Sequence, residues 1–174
     1  MATSSTPRTK AGRALADELE VELPGLVEYL TPRRPDLGRE LDALAKSRPL
    51  HKTPPPSASD VAAGVHFDLY EVDRFLRFAA QLRHIKGRQH AGRPLVLDLW
   101  QIVYVVAPVF GWRRPDGTRH FRELFLEVPR KNGKSTLAAA ILLFLLTSDR
   151  EPGAEVYAAA QDKDQARGVF DVAA

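Results

Sequence analysis

The stretch that decides the fold reads Pro129-Arg130-Lys131-Asn132-Gly133-Lys134-Ser135-Thr136. It lies between the apolar run 124–128, which is of β type, and the uninterrupted apolar run 137–146, which is long enough for a helix. The order of strand, tight loop with Gly-Lys-Ser, and helix is the context that a phosphate-binding loop requires. The sequence therefore predicts that this loop binds a nucleoside triphosphate.

The residue types in this loop suit the chemistry of a triphosphate. A helix that begins near Gly133 aims its first backbone N–H groups at one spot, where the helix dipole favours an anion. Lys134 adds a full positive charge, and the absence of a Cβ on Gly133 lets the backbone approach the phosphates closely. Ser135 places a hydroxyl where Mg²⁺ between the β- and γ-phosphates can take an oxygen ligand. We therefore expect Mg²⁺ to accompany the nucleotide.

The loop departs from the usual pattern, in which another glycine stands five residues before Gly133 and where this chain has Val128. In compensation, Arg130 and Lys131 supply two further cations beside the phosphates. Asn132 tolerates the left-handed backbone conformation that such loops use. The alternative interpretation is a basic turn that caps an ordinary buried helix.

Composition limits the classes of protein that remain. With 174 residues and 44% hydrophobic content, the chain is long enough for one globular domain with a real core. Cysteine is absent, which excludes disulfides and thiolate metal sites and is compatible with a reducing cytoplasm. The longest apolar run, 137–146, is too short to cross a bilayer, so no membrane partner is expected. The N-terminus has no apolar signal region, and secretion is not expected.

The positive charge is concentrated in the middle of the chain. Residues 83–93 contain four Lys or Arg and no Asp or Glu, and residues 113–134 contain seven Lys or Arg against three Asp or Glu. Each stretch therefore carries a net charge of +4, and each suits a polyanion such as a nucleotide or a DNA backbone. For residues 83–93 the alternative is a solvated charged surface.

The N-terminal third differs in composition from the rest. Residues 1–60 hold eight of the 13 prolines, which predicts a flexible, largely irregular segment that builds a core poorly. Short helices are predicted over residues 11–22 and 37–47, and residues 53–59 read as an extended linker. Residues 61–174 are predicted to be the N-terminal portion of a nucleotide-binding domain.

The remaining elements predict an α/β fold. Asp68 is expected to cap a helix of roughly 16 residues, and residues 97–110 read as a second helix, with a strand as the alternative because of three valines. A turn is predicted at 114–118, followed by a strand over 120–128. After the loop and its helix, a strand over 155–160 and a final helix are expected. This order predicts a partial P-loop NTPase fold, a parallel βαβ unit with flanking helices.

Five motifs, in this order, resemble the large terminase subunit of tailed bacteriophages. They are Leu97-Asp98-Leu99-Trp100-Gln101, Phe110-Gly111-Trp112-Arg113-Arg114, Asp116-Gly117-Thr118-Arg119, the loop Pro129 to Ser135, and Ala159-Ala160-Gln161-Asp162-Lys163-Asp164-Gln165-Ala166. The resemblance covers the chain from about Gly64 onward and is to the branch whose phosphate loop reads Arg-Lys-Asn-Gly-Lys-Ser. It implies an ATP-driven motor that packages viral DNA, joined to a nuclease in the complete protein.

The resemblance assigns roles to individual residues. Lys134 matches the phosphate-binding lysine and Ser135 the hydroxyl on the magnesium side. Arg130 matches a catalytic arginine that acts beside the phosphates during turnover. Gln101 matches the glutamine whose amide reads the adenine edge, which suits an amide that both donates and accepts. The alternative for Gln101 is a surface polar residue on an amphipathic helix.

The resemblance also implies partners and a setting. These are double-stranded DNA, a portal protein, a small terminase subunit, a ring of identical subunits, and the cytoplasm of a bacterial host. However, no Asp-Glu pair follows an apolar run after Lys134, so the residues for hydrolysis and DNA cleavage are expected to lie outside this chain, as in the N-terminal piece of a terminase. Only weak nucleotide binding and no turnover are then expected.

Two other functions stay open at this point. One is a different P-loop NTPase, helicase-like or kinase-like, which would keep Lys134 and Ser135 but not the role of Gln101. The other is a non-enzymatic nucleic-acid-binding or protein-binding module that uses the basic stretches 83–93 and 113–134.

Overall fold

The computed structural model describes residues 5–47, 53–84 and 91–159. The chain divides into two compact units, one made of residues 1–73 and 98–124, the other of residues 74–97 and 125–174. Within the described ranges, no helix is both long enough and apolar enough to span a bilayer.

The N-terminal region is more ordered than its proline content predicts. It contains helices α1 (Lys10–Glu22), α2 (Leu26–Leu30), α3 (Leu37–Ser47) and α4 (Ala58–Ala62). The helices predicted over 11–22 and 37–47 are confirmed, and the prediction of a largely irregular segment is wrong. The prolines that the structure describes in this region fall outside the helices, where a missing backbone N–H breaks no helical hydrogen bond.

These helices also build a core, which corrects the expectation that this region builds a core poorly. Helix α1 packs against α2 and α3. Leucines three to four residues apart form one apolar face on each helix, and that spacing places them together. The buried leucines of this region are Leu15, Leu19, Leu23, Leu26, Leu30, Leu37, Leu41 and Leu44.

A carboxylate of helix α3 holds the start of helix α1. Asp42 accepts hydrogen bonds from the backbone N–H of Arg8 and from both the N–H and the hydroxyl of Thr9, the last at 2.6 Å. The Thr9 hydroxyl in turn accepts from the N–H of Gly12 at 3.0 Å and caps the helix. A Cβ on residue 12 would lie 2.0 Å from Asp42 Oδ1, so only glycine allows this approach.

We expect Asp42→Asn to lower the Tm at pH 7 and to lose its effect in acid. The Thr9 hydroxyl bond is the largest of the contacts that lower the pKa of Asp42. Because the folded-state pKa lies below the unfolded one, the carboxylate stabilises the fold above the unfolded pKa, and this contribution disappears as the pH falls through the folded pKa. Thermal melts of the wild type and the variant should therefore converge below about pH 4.

Asp17→Asn is the matched control, since Asp17 is an exposed residue of the same helix pair. It should melt like the wild type at every pH. A difference between Asp42→Asn and wild type that persisted unchanged to pH 2 would contradict the assignment.

The first unit contains a small antiparallel sheet. Strand β1 (His66–Phe67) pairs with β2 (Trp112–Arg113), with His66 opposite Arg113 and Phe67 opposite Trp112. The rings of Phe67 and Trp112 meet edge to face, with centroids 5.4 Å apart. Helices and this sheet together make the chain α/β in the coarse sense.

The predicted parallel βαβ unit is not present in the described residues. Residues 121–128 and 154–159 have no regular secondary structure, although strands were predicted over 120–128 and 155–160. A strand exists only when a neighbour pairs with its backbone, and no described segment pairs with either stretch. Phe125 is 90% exposed, so the alternating pattern does not bury one side of the segment either. Residue 160 and the predicted final helix lie outside the described residues.

Several other predicted elements are confirmed. Asp68 accepts a hydrogen bond from the N–H of Tyr70 at 2.9 Å at the start of α5 (Leu69–Ala79). This helix has 11 residues and is therefore shorter than predicted. Helix α6 (Leu99–Gln101) continues directly into a π-helix (Ile102–Gly111), so the helical prediction for this stretch is right. The predicted turn at 114–118 is closed by backbone hydrogen bonds. Helix α7 (Lys134–Thr147) begins after Gly133, as predicted.

Candidate functional site

The basic loop is on the surface and leads directly into helix α7. Every residue from Pro129 to Ser135 is exposed, and Thr136 is half-buried. The apolar helix that follows is largely buried or half-buried through its middle. The chain therefore passes from exposed cationic residues to buried apolar ones within one helical turn. Arg130, Lys131 and Lys134 are all exposed to solvent.

Two left-handed residues shape the loop. Lys131 and Gly133 both have φ of 71°, on either side of Asn132. Asn132, whose residue type tolerates this conformation, does not adopt it, and its side-chain amide donates to the carbonyl of Pro129 at 3.2 Å. A left-handed lysine is strained by roughly 1–2 kcal/mol, since its Cβ approaches the following carbonyl oxygen. Such strain is typical of functional loops.

The start of helix α7 is open to an anion. Gly133 is the N-cap and brings no side chain to the first backbone N–H groups, while its carbonyl accepts the first helical bond from Leu137 at 2.9 Å. The N–H groups of Lys134, Ser135 and Thr136 lie in that first turn, which contains no acidic residue. Unpaired donors, the helix dipole and the adjacent ammonium group all favour negative charge at this point.

Aromatic packing inside the second unit anchors helix α7. Phe144 is 1% exposed, and its ring meets those of Phe75 and Phe78 edge to face at 5.2 and 5.4 Å between centroids. The guanidinium of Arg74 lies 5.6 Å from the same ring centroid and donates to the carbonyl of Ser148. These contacts hold helix α7 against helix α5, and the basic loop leads directly into the helix that they hold.

Sequence reasoning named the loop but not these supporting residues. Phe75 and Phe78 stand three residues apart on α5, and that spacing was the available signal for a shared contact. Their partner Phe144 lies 66 positions beyond Phe78, and no local pattern connects the two.

Gln101 has a structural role in the first unit. Its side-chain oxygen accepts a hydrogen bond from the backbone N–H of Asp98 at 2.9 Å, and the Asp98 carboxylate accepts one from the backbone N–H of Gln101. The two bonds together form a capping box. Gln101 is only 5% exposed, so the alternative interpretation as a surface residue is wrong. Residues 129–136, the loop and the first three residues of α7, belong to the second unit, whereas Gln101 belongs to the first.

The chemistry of the loop is compatible with Mg²⁺ held mainly by phosphate. Ser135 offers an exposed hydroxyl oxygen, the hard ligand type that Mg²⁺ prefers. In the described part of the chain, no three His, Asp or Glu residues are grouped so that they could hold a metal ion. The donor set therefore fits an ion that keeps its waters and takes one protein oxygen beside the nucleotide.

One protein-family model matches the part of the chain that contains the basic loop. Residues 100–174 match the family model of the terminase large subunit, ATPase domain. The matched residues begin just before Gln101 and include the basic loop and helix α7, so the resemblance inferred from the motifs is confirmed over residues 100–174. No curated protein and no solved structure matched the chain.

Proposed function

We propose, from the premise that residues 100–174 match the terminase large subunit ATPase domain, that this chain binds ATP with Mg²⁺ at loop 129–136. The family supports a packaging ATPase of the terminase type. The observation that carries the specific site is the exposed cationic turn ending in an uncapped helix N-terminus. An anion is the ligand that this arrangement favours.

Each loop residue has a distinct part in this proposal. The N–H groups of residues 134–136 donate hydrogen bonds to the phosphate oxygens, and the Lys134 ammonium neutralises charge on the β- and γ-phosphates. Ser135 supplies one oxygen to Mg²⁺. Pro129, Lys131, Asn132 and Gly133 set the shape of the turn, and Arg130 stabilises charge that develops on the phosphates during turnover.

Gln101 is proposed to read the adenine ring. The capping box engages its oxygen with the Asp98 N–H, and one lone pair of that oxygen remains as an acceptor. The amide nitrogen is a donor, so together they can pair with the adenine N6 and N7 positions. The capping box would hold the amide in one orientation before the nucleotide arrives.

The wider setting follows from the family. We place the chain in a motor that moves double-stranded DNA, with a portal protein, a small terminase subunit and further copies of itself in a ring, in the cytoplasm of a bacterial host. For the 174-residue chain by itself we expect binding without turnover, since no Asp-Glu pair follows an apolar run after Lys134.

Ser135→Ala tests the magnesium part of this proposal. We expect the variant to bind Mg–ATP roughly tenfold more weakly, equivalent to about 1.4 kcal/mol, because Mg²⁺ loses its protein oxygen. Binding of ATP in EDTA should be unchanged, because the N–H groups and Lys134 remain. Titration with a fluorescent ATP analogue, with and without Mg²⁺, measures both values.

Ser59→Ala serves as the control, since this exposed serine lies in α4 of the first unit. It should bind Mg–ATP like the wild type. An equal loss of affinity with and without Mg²⁺ in Ser135→Ala would remove Ser135 from the metal site, and no measurable ATP binding by the wild type at millimolar concentration would overturn the proposed function.

A further inference from the structure

Two short stretches of the second unit, residues 82–84 and 92–95, pair with each other in antiparallel fashion, with Arg83 opposite Pro94. Backbone N–H to carbonyl bonds join Leu95 to Leu82 (2.8 Å), His84 to Arg93 (2.9 Å) and Gly92 to His84 (2.7 Å). We call these two stretches the basic hairpin. Because both are tied by backbone bonds, their side chains project from a defined frame.

The hairpin has an apolar base and cationic outer positions. Leu95 is buried and Leu82 half-buried, so these opposed leucines attach the hairpin to its unit. Arg83 and Arg93 are both exposed. The Arg83 guanidinium donates to the Gly92 carbonyl at 2.8 Å, which holds it against the opposite stretch and leaves other N–H groups for a ligand.

No acidic residue balances these cations along the chain. Residues 74–97 contain six Lys or Arg and no Asp or Glu. Within the ranges that the structure describes, neither Arg83 nor Arg93 takes part in an ion pair. The register, with Arg83 opposite Pro94, places the Arg83 and Arg93 side chains on opposite faces of the hairpin, so each face carries an exposed cation.

We propose that the basic hairpin contacts the phosphate backbone of duplex DNA. The proposed function supplies the reason for choosing DNA, but the contact uses residues outside loop 129–136 and needs no nucleotide. Duplex DNA carries one charge per ~1.7 Å of helix axis, so each exposed guanidinium group can meet a phosphate. A lipid surface fits less well, because the only exposed large apolar side chain among residues 91–97 is Val96.

The test is a DNA-binding titration with a 30-base-pair duplex, followed by fluorescence anisotropy at several salt concentrations. Each phosphate contact contributes about 0.9 to the slope of log affinity against log salt. The double variant R83Q/R93Q should therefore lower the magnitude of the slope by about 1.8 and weaken binding by roughly 10- to 100-fold at 0.1 M salt. R93Q alone should lower it by about 0.9, and R83K, which keeps the charge, should bind almost normally.

The matched control is K10Q/K46Q, which removes the same charge from two exposed lysines of the first unit. It should leave the slope unchanged, and far-UV circular dichroism should show all variants folded. Equal losses in both double variants would overturn the proposal, as would stronger binding of phosphatidylserine vesicles than of DNA. K134A should retain DNA binding, so failure of the hairpin and failure of the nucleotide site give different results.

Discussion

Lys134→Ala abolishes the thermal stabilisation that ATP and Mg²⁺ give to the wild-type chain; this is the largest functional effect that we expect. The variant removes the only full charge in the first turn of α7, where phosphate would lie. At a nucleotide concentration of about 100 times Kd, binding stabilises the wild type by about 2.7 kcal/mol. For a chain of this length that is a Tm increase of roughly 5–10 °C, and the variant should show almost none.

Two controls separate this site from general charge effects. Lys10→Ala removes an exposed lysine from α1 and should keep the full increase in Tm. Arg130→Ala should keep most of it, because the role proposed for Arg130 belongs to turnover more than to binding. Differential scanning fluorimetry with millimolar ATP and Mg²⁺ measures all of them. Equal shifts in the wild type and in Lys134→Ala would rule out Lys134 as the phosphate ligand.

Phe144→Ala should produce the largest loss of stability. Its ring is almost fully buried, contacts Phe75 and Phe78, and lies beneath the Arg74 guanidinium. Truncating a buried phenylalanine to alanine costs about 3–5 kcal/mol, from lost transfer free energy and from the cavity that remains. Because the same packing anchors α7, the variant should also lose ATP binding. Hydrogen exchange of the α7 amides measures the local loss directly.

Leu146→Ala is the matched control on the same helix. Leu146 is 50% exposed, so its truncation should cost less than about 1 kcal/mol and leave ATP binding intact. If exchange of the α7 amides accelerated equally in both variants, the aromatic cluster would not be what fixes the helix.

Features that depend on neighbouring residues were predicted well. The start of α7 after Gly133 follows from a glycine without a side chain next to a helix-forming run. The cap at Asp68 and the turn at Gly117, which has φ of 80°, follow from the same kind of local chemistry. The exposed position of the cationic loop also agrees with its composition. These features need only a few consecutive residues, so the sequence contains the information.

Features that depend on distant partners were predicted poorly. The alternating stretch 120–128 has strand-like chemistry, but pairing requires a second segment that alternation cannot supply. The prolines of residues 1–60 led to the prediction of a largely irregular segment, since only the packing of α1 against α3 shows that the leucines of both helices are buried. The residue types of the loop did not indicate that Lys131 takes the left-handed conformation while the Asn132 side chain donates to the carbonyl of Pro129.

The sequence by itself determined where the basic loop ends and helix α7 begins. It also determined the motif order that relates residues 100–174 to terminase ATPase domains. The residue types within a few consecutive positions are enough for both. Only the tertiary structure decided that Phe144 meets Phe75 and Phe78, that β1 pairs with β2, and that Gln101 is buried. Burial and strand pairing arise from contacts between residues far apart in the chain, and such contacts leave no local pattern.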